Sequence, residues 1–138
     1  MKEDSEKEIL NTFFRKGKLK GLYVTDVPIG SYHPKKIDCV CIEMSDKELE
    51  LLKDGENPTE YIQNSKLSFE QFKNRIVWLL EVKQKLNPSA LGQILIYKHH
   101  FERTYLDTVL KGVGIVCEES DYMIEEVCQE YNVRIFTI

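Results

Sequence analysis

Glu81, Val82 and Lys83 close the most apolar run in the chain, Ile76-Val77-Trp78-Leu79-Leu80. On a strand, Glu81 and Lys83 share one face. A strand buried on both sides gains no stability by ending in a carboxylate and an ammonium. Asp38 is the same kind of misfit in the apolar stretch 37–44. Counting links the two. Met44 lies six residues past Asp38, and Arg75 lies six residues before Glu81. Antiparallel pairing in that register puts Asp38 beside Glu81, so that two carboxylates and an ammonium meet at one end of a sheet. Carboxylates that close repel unless a cation sits between them. Oxygen donors suit Mg²⁺ or Mn²⁺, with waters and a substrate phosphate completing the shell. An ammonium there can steady an attacking water or the charge developing at phosphorus. The plainer alternative is a cross-strand pair of Lys83 with Asp38 or Glu81 at a sheet rim, because E-x-K tripeptides are common.

The following segment adds to the first reading. Asn87-Pro88 reads as an N-cap followed by proline at the first helical position. The helix it opens, over about 88–106, carries Gln93 in its second turn and Tyr97 four residues later on the same face. That helix starts where the strand of Glu81 and Lys83 ends, so Gln93 falls near both. A solvated Gln93 and a core-packed Tyr97 are the alternatives.

These residues need elements to position them. Residues 4–16 read as a helix, with Ile9, Leu10, Phe13 and Phe14 on one face and Gly17 as its stop. Strands are expected at 22–27, 37–44, 76–83, 113–117 and 133–138. A last helix opens at Ser120 or Asp121, with Ile124, Val127, Cys128 and Tyr131 on one face. Residues 45–74 read as a polar insertion with short helices, the first opened by a capping box of Ser45 and Glu48. The order is helix, three strands, helix, strand, helix, strand. An antiparallel meander followed by right-handed parallel crossovers makes a mixed α/β sheet flanked by helices.

Composition bounds the function. The chain has 138 residues, which is room for one domain and one core, here spanning 1–138. Its formal net charge is −4, so a globally basic nucleic-acid coat is excluded while a local basic rim is not. No apolar run is long enough to span a membrane, so no membrane partner is expected. The charged start, Met1-Lys2-Glu3-Asp4, does not read as a signal peptide. Four cysteines without an export signal point to reduced thiols and a cytoplasmic location.

Asp38, then Glu81-Val82-Lys83, then Gln93 with Tyr97, in this order of elements, resembles the PD-(D/E)xK nuclease superfamily. The resemblance is to its RecB-like and archaeal Holliday-junction-resolvase-like branches, and it covers nearly the whole chain. It implies a restriction-endonuclease-like fold, an αβββαβ core with a further helix and strand. It implies a metal-dependent nuclease that hydrolyses DNA phosphodiesters with Mg²⁺, for which Mn²⁺ substitutes. Asp38 and Glu81 would then be the metal carboxylates and Lys83 would orient the water or stabilise the transition state. Gln93 would help to position metal, water or backbone. Some members add a glutamate on the first helix. Glu6 matches that place best, with Glu8 in reserve; a surface carboxylate favoured at a helix start is the alternative for Glu6. Ile37 stands where the family name has proline. The alternative function is a nuclease-fold module that binds nucleic acid or protein without chemistry.

Other residues complete the expected site. Lys35, Lys36, Lys85 and His33 should rim it, and with Tyr97 they are the candidate nucleic-acid contacts. The insertion should leave the sheet about 20 Å from the site, at roughly 3.4 Å per strand residue. Dimerisation, distal DNA contact or a solvated flap are its possible roles. The chain is small for gripping a duplex, so a homodimer is expected. Cys39, Cys41, Cys117 and Cys128 lack C-x-x-C spacing and read as buried free thiols. His99 and His100 read as solvent-facing or core-edge residues.

Overall fold

The computed structural model describes residues 2–30, 35–53, 62–64 and 72–138. Helix α1 spans Lys2–Lys16, strand β1 Gly21–Ile29, β2 Lys35–Glu43, helix α2 Asp46–Lys53 and strand β3 Ile62–Asn64. Strand β4 spans Ile76–Lys85, helix α3 Pro88–Thr104, strand β5 Val109–Glu119, helix α4 Tyr122–Glu130 and strand β6 Val133–Thr137. The strands form one open sheet in the order β3-β1-β2-β4-β5-β6. β1, β2 and β4 are antiparallel neighbours, while β4, β5 and β6 run parallel through the helical crossovers α3 and α4. This is the mixed α/β architecture flanked by helices that the element order predicts. Among the described residues no helix is long and apolar enough to cross a membrane.

Side-chain alternation divides the core into two layers. Ile9, Leu10 and Phe13 of α1 pack on one face with Tyr23, Cys39 and Leu80. Ala90, Ile94 and Phe101 of α3 pack on the other with Val40, Leu79 and Ile115, where Cys128 of α4 joins them. Cys39 and Cys41 therefore lie under α1, and Val40 and Ile42 lie under α3. All four cysteines are buried free thiols. Burial pushes the Cys39 and Cys41 thiols up, Cys41 to about 12. These side chains are packing atoms rather than thiolate nucleophiles.

The helix ends follow local chemistry. Gly17 takes a φ of +66° and stops α1, a conformation that costs a residue with a Cβ. The capping box closes reciprocally: Ser45 Oγ accepts from the Glu48 N–H, and Glu48 Oε1 accepts from the Ser45 N–H, both at 3.2 Å. Asp121 is the cap of α4, accepting from Met123 and Ile124. Asn87 Oδ1 accepts from the Ala90 N–H at 2.9 Å, and Pro88 follows at the first helical position. Asn87→Ala is expected to cost about 1 kcal/mol, read by urea denaturation, because it leaves a helix donor unmet.

The insertion corrects one expectation. Part of it lies outside the described residues, but β3 runs parallel beside β1 with Asn64 level with Thr25. It leaves the sheet at the end far from Asp38, as expected, and β3 then runs back along β1 to the level of Thr25, adding a strand that the five expected ones do not include. Three residues are too short for a periodicity to show, which is why the sequence reading gave five strands rather than six.

Candidate functional site

Two strands and two helices build the site. The β2–β4 ladder runs from Ile42↔Val77 to Cys39↔Leu80. One step further in that register, Asp38 stands opposite Glu81, as the residue count predicts. Alternation puts both on the α3 face, Asp38 in line with Val40 and Glu81 with Leu79. Asp38 Oδ2 accepts from the Val82 N–H at 2.8 Å. The carboxylate thus occupies a main-chain donor of the neighbouring strand and is held in place by it.

Glu81 is 3 % exposed and is the one buried charged residue among the described residues. Desolvation lifts its carboxyl well above the usual carboxylate range, helped by a hydrogen bond with Asp38 and by that residue's charge. Lys83 opposes the shift, and Glu6 adds to it. Lys83, two residues along the same face, therefore senses Glu81 without neutralising the burial.

Tyr97 faces this pair from α3, and Gln93 lies one turn before it on the same helix. Among the described residues, two buried side-chain oxygens lack a hydrogen-bond partner: Glu81 Oε2 and Gln93 Oε1. Both are acceptors. Tyr97 packs half-buried against the core, as its core-packing alternative expects. Its hydroxyl is nonetheless in the field of the site, since burial first, and then Glu81 and Asp38, raise its pKa.

Glu6 enters from the opposite face of the sheet. It lines a cavity of about 270 Å³ with Asp38, Val82, Thr25 and Asp26. It also lines a second of about 240 Å³ with Lys83, Lys85 and Asn87. Glu8, the reserve choice, is exposed and lines neither. Lys35 and Lys36 are exposed at the start of β2, three and two residues from Asp38. His33 lies outside the described residues. His99 and His100 are exposed on α3, and His99 Nε2 accepts from Arg103 Nε at 2.9 Å.

Asp26 belongs to this group and was not singled out in the sequence. The β1–β2 pairing runs through Thr25↔Cys39 and Val27↔Ile37, which sets Asp26 level with Asp38. Its φ is +55°, a left-handed conformation that a non-glycine residue adopts at a cost. The available signal was an acid within a strand, close before Pro28.

The donor set fits a hard cation that keeps most of its own waters. Among the described residues no three His, Cys, Asp and Glu side chains form a ready-made metal cage. Two neighbouring carboxylates, with an amide oxygen nearby that lacks a donor, are the chemistry that Mg²⁺ accepts. No protein-family model matches the chain, and no curated protein or solved structure matches it either. The functional reading rests on the residues themselves.

Proposed function

We propose that the protein is a metal-dependent nuclease that hydrolyses phosphodiester bonds of DNA, built on a restriction-endonuclease-like version of the mixed sheet. The observation that carries this reading is the pairing of Asp38 with a buried Glu81 whose second oxygen has no hydrogen-bond partner. A carboxylate placed so costs folding stability, and a divalent cation offsets that cost. Asp38 and Glu81 would hold Mg²⁺ or Mn²⁺. When bound, that ion supplies positive charge to a phosphate oxygen and acidity to a water.

The chain's own residues do the rest. Gln93 Oε1 accepts a hydrogen bond from the attacking water and orients it. Water adds to phosphorus in line with the leaving oxygen and gives up one proton to solvent, that P–O bond breaks, and the alkoxide released takes a proton from solvent. Lys83 sets its ammonium against the charge that grows on the phosphoryl oxygens. Glu6 holds the near edge of the cavity, and Lys35, Lys36 and Lys85 fix the flanking phosphates. Tyr97, one turn further along α3, contacts the nucleic acid. A symmetric dimer is part of the proposal, since a duplex exceeds the reach of one such domain.

Incubation with single-stranded, duplex, flap and four-way DNA in Mg²⁺ and Mn²⁺ tests the reading. Cleavage of at least one substrate is expected. Lys83→Ala should slow it by about 10²–10³-fold while metal binding persists, because the lysine supplies charge and not a ligand. Failure of the wild-type chain to cut any of them would leave a binding module without chemistry.

A further inference from the structure

A cleft larger than either cavity beside the carboxylates lies elsewhere on the sheet. It lies toward the opposite end of the sheet, with its Glu43–Arg75 edge about 20 Å away at roughly 3.4 Å per strand residue, and holds about 760 Å³. Five cations line it against two acids, in a chain whose net charge is −4. Both acids are already engaged. Glu43 pairs with Lys111 and Glu48 with Arg75, each at 3.0 Å. Lys20 reaches outside the lining to Asp46, also at 3.0 Å. Among the described residues no ion pair engages Lys18 or Arg134.

Topology turns these cations into a row. Lys20 leads into β1, Arg75 into β4 and Lys111 lies near the start of β5, while Arg134 on β6 stands level with Leu80 and carries the line obliquely along the sheet. Four steps across the sheet separate the β1 and β6 positions, a span of about 19 Å at roughly 4.8 Å per step. A single phosphate needs two or three donors at one point. A row of this length fits a chain of phosphates.

Trp78 sits in the middle of that row, on β4. It is half-buried under the α1 face and lines the cleft. The Arg134 guanidinium lies 6.0 Å from its ring centroid and 5.0 Å from that of Phe136. The indole has room only because residue 112 is glycine: a Cβ there would come within 2.7 Å of the ring. An aromatic platform inside a cationic groove is the pattern that receives single-stranded nucleic acid, with a base on the ring and phosphates on the cations.

We propose that this cleft is a second nucleic-acid site, which binds a single-stranded polynucleotide by stacking a base near Trp78 and pairing its phosphates with Lys18 and Arg134. The inference rests on the nuclease reading for its choice of polyanion. It gives the substrate a grip distant from the bond that is cut.

Trp78 is the only tryptophan, so its fluorescence reports on the cleft directly. The test titrates a twelve-nucleotide oligothymidylate into the full chain in EDTA, where cleavage plays no part. Binding should quench the emission. Lys18→Ala with Arg134→Ala should weaken it about 10-fold and flatten its salt dependence, the fold being retained because both side chains are exposed. Lys98→Ala, which changes an exposed lysine of α3 outside the cleft, should leave the quenching titration nearly unchanged. No quenching, equal quenching by thymidine monophosphate alone, or indifference to the Lys18 and Arg134 changes would each overturn the proposal. A chain that quenches but never cuts sinks the nuclease reading and leaves the cleft standing; a chain that cuts without quenching does the reverse.

Discussion

Asp38→Ala is expected to lower Mg²⁺-dependent DNA cleavage by at least about 10³-fold, measured as single-turnover rate on the best substrate of the panel. Asp38→Asn should do the same, and the pair separates chemistry from folding. Asp38 accepts a hydrogen bond from the Val82 N–H, so alanine leaves a main-chain donor without its partner, at about 1–3 kcal/mol. Loss of the neighbouring negative charge relieves Glu81 and offsets part of that cost. Asparagine keeps an acceptor of the same shape and should be at least as stable as the wild type in EDTA. Full activity in Asp38→Asn would remove this residue from the site.

Glu81→Gln should be more stable than the wild type in EDTA near pH 8, by about 1–3 kcal/mol, or several degrees in Tm. The sign follows from proton linkage. The folded protein holds the Glu81 proton more tightly than the unfolded chain does, because burial and Asp38 raise its pKa above the ordinary 4.5. Between the two values the folded state binds more protons, so this group's contribution makes stability fall as pH rises. The decline starts near the unfolded value and continues through neutrality. Glu81→Gln removes that slope. Millimolar Mg²⁺ should restore the wild type near pH 8, since a ligand that binds only the folded state stabilises it, and should leave Glu81→Gln unmoved. Thermal denaturation near pH 5 and near pH 8, with EDTA or Mg²⁺, measures all of this. A wild type whose Tm is flat over that range would show that Glu81 carries no such burden. A site that weakens its own fold until it is loaded is typical of function placed at the expense of stability.

Much of this was legible in the sequence because it depends on local rules. Asn87-Pro88, Ser45 with Glu48 and Gly17 mark helix ends through one or two hydrogen bonds or one φ angle, which residue types alone dictate. The meeting of Asp38 and Glu81 is not local, yet it was legible, because two apolar strands of matched length leave one register that keeps both faces buried. The preference for Glu6 over Glu8 came from the family resemblance; in the structure Glu6 lines the cavity beside Asp38 and Glu8 does not.

Other features had no such signal. β3 is three residues long, and its pairing with β1 is set by tertiary docking. Asp26 reads as an ordinary polar position until the strand pairing sets it level with Asp38 and its backbone is seen to be left-handed. The basic cleft draws its cations from four separate places along the chain, the basic run of Lys18 and Lys20 and the single residues Arg75, Lys111 and Arg134. Only the strand order sets them in a row, and only the Trp78–Gly112 contact explains how the ring fits between them.

The central claim is that Asp38 and Glu81 together hold a divalent cation, and a Mn²⁺ titration followed by electron paramagnetic resonance near neutral pH tests it most directly. The account predicts saturable binding of Mn²⁺ to the wild type that Mg²⁺ displaces. It predicts loss of that binding in Asp38→Asn and in Glu81→Gln, and its survival in Lys83→Ala. No saturable binding to the wild type, or binding that both carboxylate variants retain, would contradict it.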